Sequence, residues 1–160
     1  CRLLPVGFEE QVHLSASYAE APGLAWLTLH PDPLTMAEAI VHETQHSRLN
    51  TLMWLDPVLH NGRREWTTSP VRPDLRPLSG VLLAAHAFVP VAAMHARLDE
   101  LGHPISRSPH FKRRRAEVLQ SNARGLQTVE ERGQPTTTGQ RIIGGLRALH
   151  DACSTWNASA

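Results

Sequence analysis

Cysteine is scarce in this chain: Cys1 and Cys153 are the two in 160 residues. Neither has a CxxC partner, and one pair cannot make the disulfide framework of a small secreted scaffold. A reducing, cytoplasmic setting is therefore expected. Nor is either sign of charge in excess. Sixteen Lys and Arg against fifteen Asp and Glu leave a net charge of +1, which gives no general attraction to nucleic acid or to an acidic membrane. No apolar run approaches membrane-spanning length; the longest, Gly80 to Met94, is short and contains Pro90. The chain opens without a signal-peptide pattern and has no internal repeat. It begins at Cys1 rather than Met, so residues 1–160 are expected to be one metal-binding domain forming the C-terminal part of a longer polypeptide. At 41% hydrophobic content they can bury a single core.

Histidine is what the chain has in surplus. Its ten copies are about three times ordinary usage. Two of them close the motif His42-Glu43-Thr44-Gln45-His46. Residues four apart on a helix share a face, so both imidazoles can aim at one point and form half of a divalent-metal site, with Glu43 beside them.

The helix carrying this motif is expected over Leu34 to Leu55. Thr35 with Glu38 makes a capping box, Asp32 ahead of Pro33 is a rival N-cap, and Pro57 ends the helix. Met36, Ile40, Leu49, Leu52 and Met53 predict burial along one side. Upstream, Gln11 to Ser17 alternates as a half-buried strand, Ala21-Pro22-Gly23 turns, and Leu24 to His30 reads as a second strand; an irregular loop is the alternative. Arg63 to Arg76, with four arginines and Pro70, Pro73 and Pro77 around it, predicts an extended or turning loop, either functional or a solvated connector. Gly80 to Leu98, capped by Ser79, predicts a buried helix kinked near Phe88 by Pro90 and stopped at Gly102. His86 in its middle is either a core residue or a third ligand. Ser108-Pro109 starts a third helix running to about Arg132. Its Lys112-Arg113-Arg114-Arg115 run predicts a solvated face or a partner contact. Gly133 to Gly139 is a turn, Gln140 to Trp156 a last amphipathic helix with Ile142, Ile143, Leu146 and Leu149 inward, and Asn157 to Ala160 a fraying tail. The fold class is mainly α with a small N-terminal β-hairpin (α+β), the HExxH helix packing on the downstream buried helix.

Two chemistries compete for such a motif. In a zinc peptidase the histidines bind Zn²⁺ and the glutamate is general base to bound water. The extended metzincin form needs glycine and histidine where Leu49 and Leu52 stand, so it is excluded. Glu65 as a third ligand has little helical room between Asn61-Gly62 and Pro70. An Fe(II) oxygenase instead needs three ligands on one face and a cation for the distal carboxylate of 2-oxoglutarate. Arg72 or Arg76 would suit that carboxylate. The residues alone do not choose.

The stretches EAIVHETQHSRLNTLMWLDPVL and SPVRPDLRPLSGVLLAAHAFVPVA resemble an HExxH-motif family of peptide-modifying proteins. Its members accompany ribosomally made, post-translationally modified peptides (RiPP biosynthesis) and are described as Fe(II)/2-oxoglutarate-dependent peptide β-hydroxylases. Some are fused behind an FxsB-type radical-SAM maturase. The resemblance spans about Leu24 to Leu98, with Val71 where similar chains often carry Trp. It implies a metal held by His42, His46 and His86, with Glu65 and Asp74 left open as third ligands. Glu43 is then a catalytic or ligand-supporting residue, and Arg72 or Arg76 binds 2-oxoglutarate. The implied partners are a precursor peptide and a fused or associated radical-SAM maturase, with no nucleic acid and no membrane. A zinc peptidase and a non-catalytic peptide-binding module are the alternatives.

Overall fold

A computed structural model of the chain describes residues 1–69 and 72–155, with backbone alone for Ser69, Arg72 and Pro73. Pro70, Val71, Trp156 and the tail Asn157 to Ala160, for which fraying is expected, lie outside the described residues. The elements follow in the order β1 (Arg2–Phe8), β2 (Ser15–Ala16), β3 (Leu24–Leu29), α1 (Pro33–Met53), β4 (Trp66–Ser69), β5 (Arg72–Pro77), α2 (Leu78–Glu100), a 3-10 turn (Pro104–Arg107), α3 (Pro109–Arg132) and α4 (Thr137–Thr155). The expected class, mainly α with a small N-terminal β part, is the observed one. α1 packs on α2, and α2 also touches α3 and α4.

The sheet has the order β1-β3-β2, with β1 parallel to β3 and β2 antiparallel to it. Only Ser15 and Ala16 of the expected Gln11–Ser17 strand are ladder-paired, and Val12 and Leu14 point their apolar side chains into solvent. β1 is an addition, without the polar–apolar alternation that would mark it. Within the Arg63 to Arg76 segment, expected as an extended or turning loop, Trp66–Ser69 and Arg72–Pro77 pair as the antiparallel strands β4 and β5. Pro73 and Pro77 lie within and at the end of β5, on a two-stranded ribbon where no continuous ladder needs their missing N–H.

α1 begins at Asp32, whose carboxylate accepts from the Thr35 N–H at 2.9 Å and its hydroxyl at 2.7 Å. Asp32, not Thr35, is therefore the N-cap, and Glu38 is left for another purpose. α1 also departs from the expected apolar stripe: Ile40 is partly exposed, while Glu38, Glu43, Ser47 and Asn50 are buried beside Leu34 and Leu49. α2 runs further than expected at both ends. Its 23 residues are long and apolar enough to cross a bilayer by length and composition. Here Leu78, Val81, Leu82, Ala85 and Val89 join Leu126, Val129, Ile143 and Leu146 of α3 and α4 in one core.

Gly139, in the first turn of α4, lies so close to the Val58 carbonyl that an added Cβ would sit 2.0 Å from that oxygen. Val58 itself has φ 64°, a strained left-handed conformation for a β-branched residue. It is held by its N–H to Asp56 at 2.7 Å and by the Thr136 N–H on its carbonyl at 3.0 Å. Gly139→Ala is expected to lower unfolding free energy by about 2 kcal/mol or more through this overlap, as read from denaturant titration; an unchanged midpoint would contradict the close approach.

Candidate metal centre

Glu38, His42 and His46 follow one another at four-residue spacing, so they form a single polar stripe along α1. α2 faces that stripe in the opposite direction. His95 Nε2 lies 2.8 Å from Glu38 Oε1. At the other end His86 is close enough to His46 to affect its protonation, and the Gln45 backbone carbonyl lies against the His86 ring. Between them the His42 and His46 rings meet edge to face at 4.2 Å between centroids, and Phe88 of α2 covers His42 at 4.5 Å.

Burial decides the charge of this stripe. It pushes His42 down to about 4, helped by the Arg114 guanidinium and opposed by Glu38. It pushes His46 down to about 4 as well, with His42 and His86 adding to the effect and Glu43 opposing it. His86 is lowered by burial first, with Gln45 opposing and Arg48 assisting. All three imidazoles are therefore neutral near pH 7, the form in which nitrogen binds a metal.

Glu38 closes one end. Burial alone would raise its carboxyl, but hydrogen bonds from His95 and Arg114 outweigh that and hold it below the usual range. Arg114 reaches Oε2 through Nε at 2.9 Å and Nη2 at 2.8 Å, and its guanidinium lies over Phe88. α1, α2 and α3 thus meet at one carboxylate. The basic run on α3 is accordingly split: Lys112 and Arg113 are exposed, whereas Arg115 is buried and pairs with Asp99 at 2.8 Å. The expectation of a solvated face or a partner contact is corrected for Arg114 and Arg115, whose charges pair with Glu38 and Asp99 inside the fold.

Glu43 faces the sheet rather than the histidines. Its Oε1 accepts from the Ser15 hydroxyl at 2.7 Å and its Oε2 from Ser17 at 2.6 Å. One turn on, Ser47 accepts the Gly23 N–H at 2.8 Å. These bonds fasten β2 and the turn before β3 onto α1.

The Nδ1 atoms of His42, His46 and His86 are buried and have no hydrogen-bond partner among the described residues. Unpartnered buried polar atoms are uncommon and costly, and here they belong to neutral imidazoles. The donor chemistry of His42 and His46 suits a divalent metal. A group of three His, Cys, Asp or Glu side chains arranged to hold a metal ion is not present among the described residues. Glu65 is held by Arg132, and Asp74 lies 3.4 Å from Arg76 on the exposed hairpin. Arg72's side chain lies outside the described atoms. A cavity of about 190 Å³ opens beside His42, walled by His13, Ser15, Glu38, Phe88 and Arg114; its guanidinium is Arg114, not Arg76.

No protein-family model matches the chain, and no curated protein matches it.

Two outcomes follow from the charges. Because His42 and His46 are depressed from 6.5 to about 4, the unfolded chain takes up protons between those values that the folded chain refuses. The stability contributed by these two groups in the metal-free protein is fully present above pH 6.5 and is lost as pH falls towards 4. Urea unfolding across that range checks this, and His42→Phe should flatten the slope. Separately, Glu38→Ala should cost about 2 to 3 kcal/mol in the same assay, below the loss for fully buried pairs because Arg114 is one-third exposed.

Proposed function

We propose that this domain uses a metal held by His42 and His46, with His86 as third donor, to hydroxylate a residue of a ribosomally made precursor peptide. The reading rests on the resemblance of its HExxH and Arg-Pro segments to peptide β-hydroxylases. The observation that carries it over a peptidase is the position of Glu43. A hydrolytic base must reach a metal-bound water within hydrogen-bond distance. Both oxygens of Glu43 instead accept serine hydroxyls from the sheet segment, which suits a strut that orients the helix and leaves the metal's chemistry to its other ligands.

When bound, Fe(II) with 2-oxoglutarate and O₂ would supply the oxidation, one oxygen atom entering a β-C–H bond of the peptide and the other leaving in succinate with release of CO₂. His42 and His46 supply neutral nitrogen, and Phe88 holds the His42 ring in place. Arg72 and Arg76 are the proposed cations for the distal carboxylate, since Arg114 is committed to Glu38.

Incubation of the protein with Fe(II), 2-oxoglutarate and its precursor peptide is expected to add one oxygen and release succinate, measured by mass spectrometry. His46→Ala should abolish the addition, while Glu43→Gln should keep it within about tenfold. Cleavage of the peptide without 2-oxoglutarate, lost in Glu43→Gln, would establish the peptidase instead. Peptide binding that survives loss of both histidines, with no oxygen added, would leave a binding module.

A further inference from the structure

The sheet ends at β2, and among the described residues no strand pairs with its outer side. The Thr28 N–H bonds the Leu14 carbonyl at 2.8 Å, and the Leu14 N–H bonds the Thr28 hydroxyl at 2.9 Å. Leu14 and Ala16 therefore turn their main-chain groups towards β3. In an antiparallel pair successive residues alternate in this respect, so Ser15, opposite Leu27, turns its N–H and C=O away from β3. Among the described residues no hydrogen bond reaches either group. The same alternation sends the Ser15 and Ser17 side chains down to Glu43, while Leu14 stands in solvent.

This open edge also borders the candidate site. His13 and Ser15 wall the cavity of about 190 Å³ whose other sides are His42, Phe88 and the Glu38–Arg114 pair. An occupant must therefore offer main-chain donors and acceptors along its length and a side chain at right angles to them. That is an extended peptide. Because Arg114 and Glu38 neutralise each other, the cavity calls for an uncharged side chain. His13 Nε2, buried and unpartnered among the described residues, is a polar atom of its wall left for that side chain.

We infer that a substrate peptide adds to the open edge of β2 as a further strand, pairing with Ser15 and lowering one uncharged side chain into the cavity beside His42. The inference rests on the peptide-modifying reading above and names how that peptide is held. Strand addition draws affinity from main-chain bonds and specificity from alternate side chains. It follows that every second amide of the peptide is needed and the ones between are dispensable.

The test selects binders to the 160-residue protein from a displayed library of random dodecapeptides, without metal or 2-oxoglutarate. Each amide of the enriched peptide is then methylated in turn. Alternate methylations should weaken binding by about tenfold and the intervening ones leave it nearly unchanged. Ser15→Pro should lose affinity to a similar degree. No enriched peptide, or binders indifferent to methylation pattern and to Ser15→Pro, would overturn the inference. Because the methyl scan uses the unaltered protein, its two-residue pattern can be read even if Ser15→Pro misfolds. Oxygen added to a precursor peptide that shows no two-residue pattern would sink strand addition and keep the hydroxylase; the pattern without oxygen addition would do the reverse.

Discussion

The carboxylate of Glu38 is the point on which the site depends. It is nearly inaccessible to water, takes hydrogen bonds from His95 of α2 and Arg114 of α3, and stands one turn before His42. A buried charge is tolerated only when it is paired and hydrogen-bonded. Satisfying this one therefore fixes how α1, α2 and α3 approach each other. Once Glu38 meets His95, α2 runs antiparallel to α1, and His86 is carried to the His46 end. Arg114 in turn lies over Phe88, which lies against His42. The ring orientation of a candidate ligand is thus set by an ion pair one helical turn away.

The second face of α1 does a different job with similar residues. Glu43 and Ser47, four apart, hold the Ser15–Ser17 segment and Gly23 through hydroxyl and amide bonds. One helix thereby presents a histidine stripe to two helices and a hydroxyl-accepting stripe to the sheet, with the cavity between them. An amphipathic helix would normally bury carbon on such faces. Here the apolar core is built mainly by α2, α3 and α4 with Val58 and Leu59, and α1 adds Leu49 to it.

Much of this is legible from the residues. α3 is announced by Ser108-Pro109, and the Ser108 hydroxyl does accept the Phe111 N–H at 3.1 Å. Gly102 sits at φ 62° where the sequence predicts the stop of α2. The histidine pair meets on one face because four-residue spacing leaves no other choice in a helix. Whatever depends on contact between distant segments is less legible. Nothing local says that Glu38 belongs to His95, 57 positions away, or that Arg114 is drawn inward while Arg113 stays out. Glu38 carries one usable signal, since it lies four residues before His42 and extends the same stripe. β1 escapes a reading of the residues because a strand in a small, largely exposed sheet has no apolar alternation to display. The Arg-Pro segment reads as a loop because prolines argue against a central strand, and a two-stranded hairpin has no central strand.

The histidine stripe accounts for three otherwise costly facts together: neutral buried imidazoles, their unpartnered Nδ1 atoms, and an ion pair spent on orienting one of them. A metal would explain all three. Titration of the protein with Co²⁺, followed by its electronic absorption, tests this most directly. One equivalent bound with ligand-field bands, absent in the His42→Ala/His46→Ala double variant, is the predicted result. No saturable binding, or the same spectrum in the double variant, would contradict it.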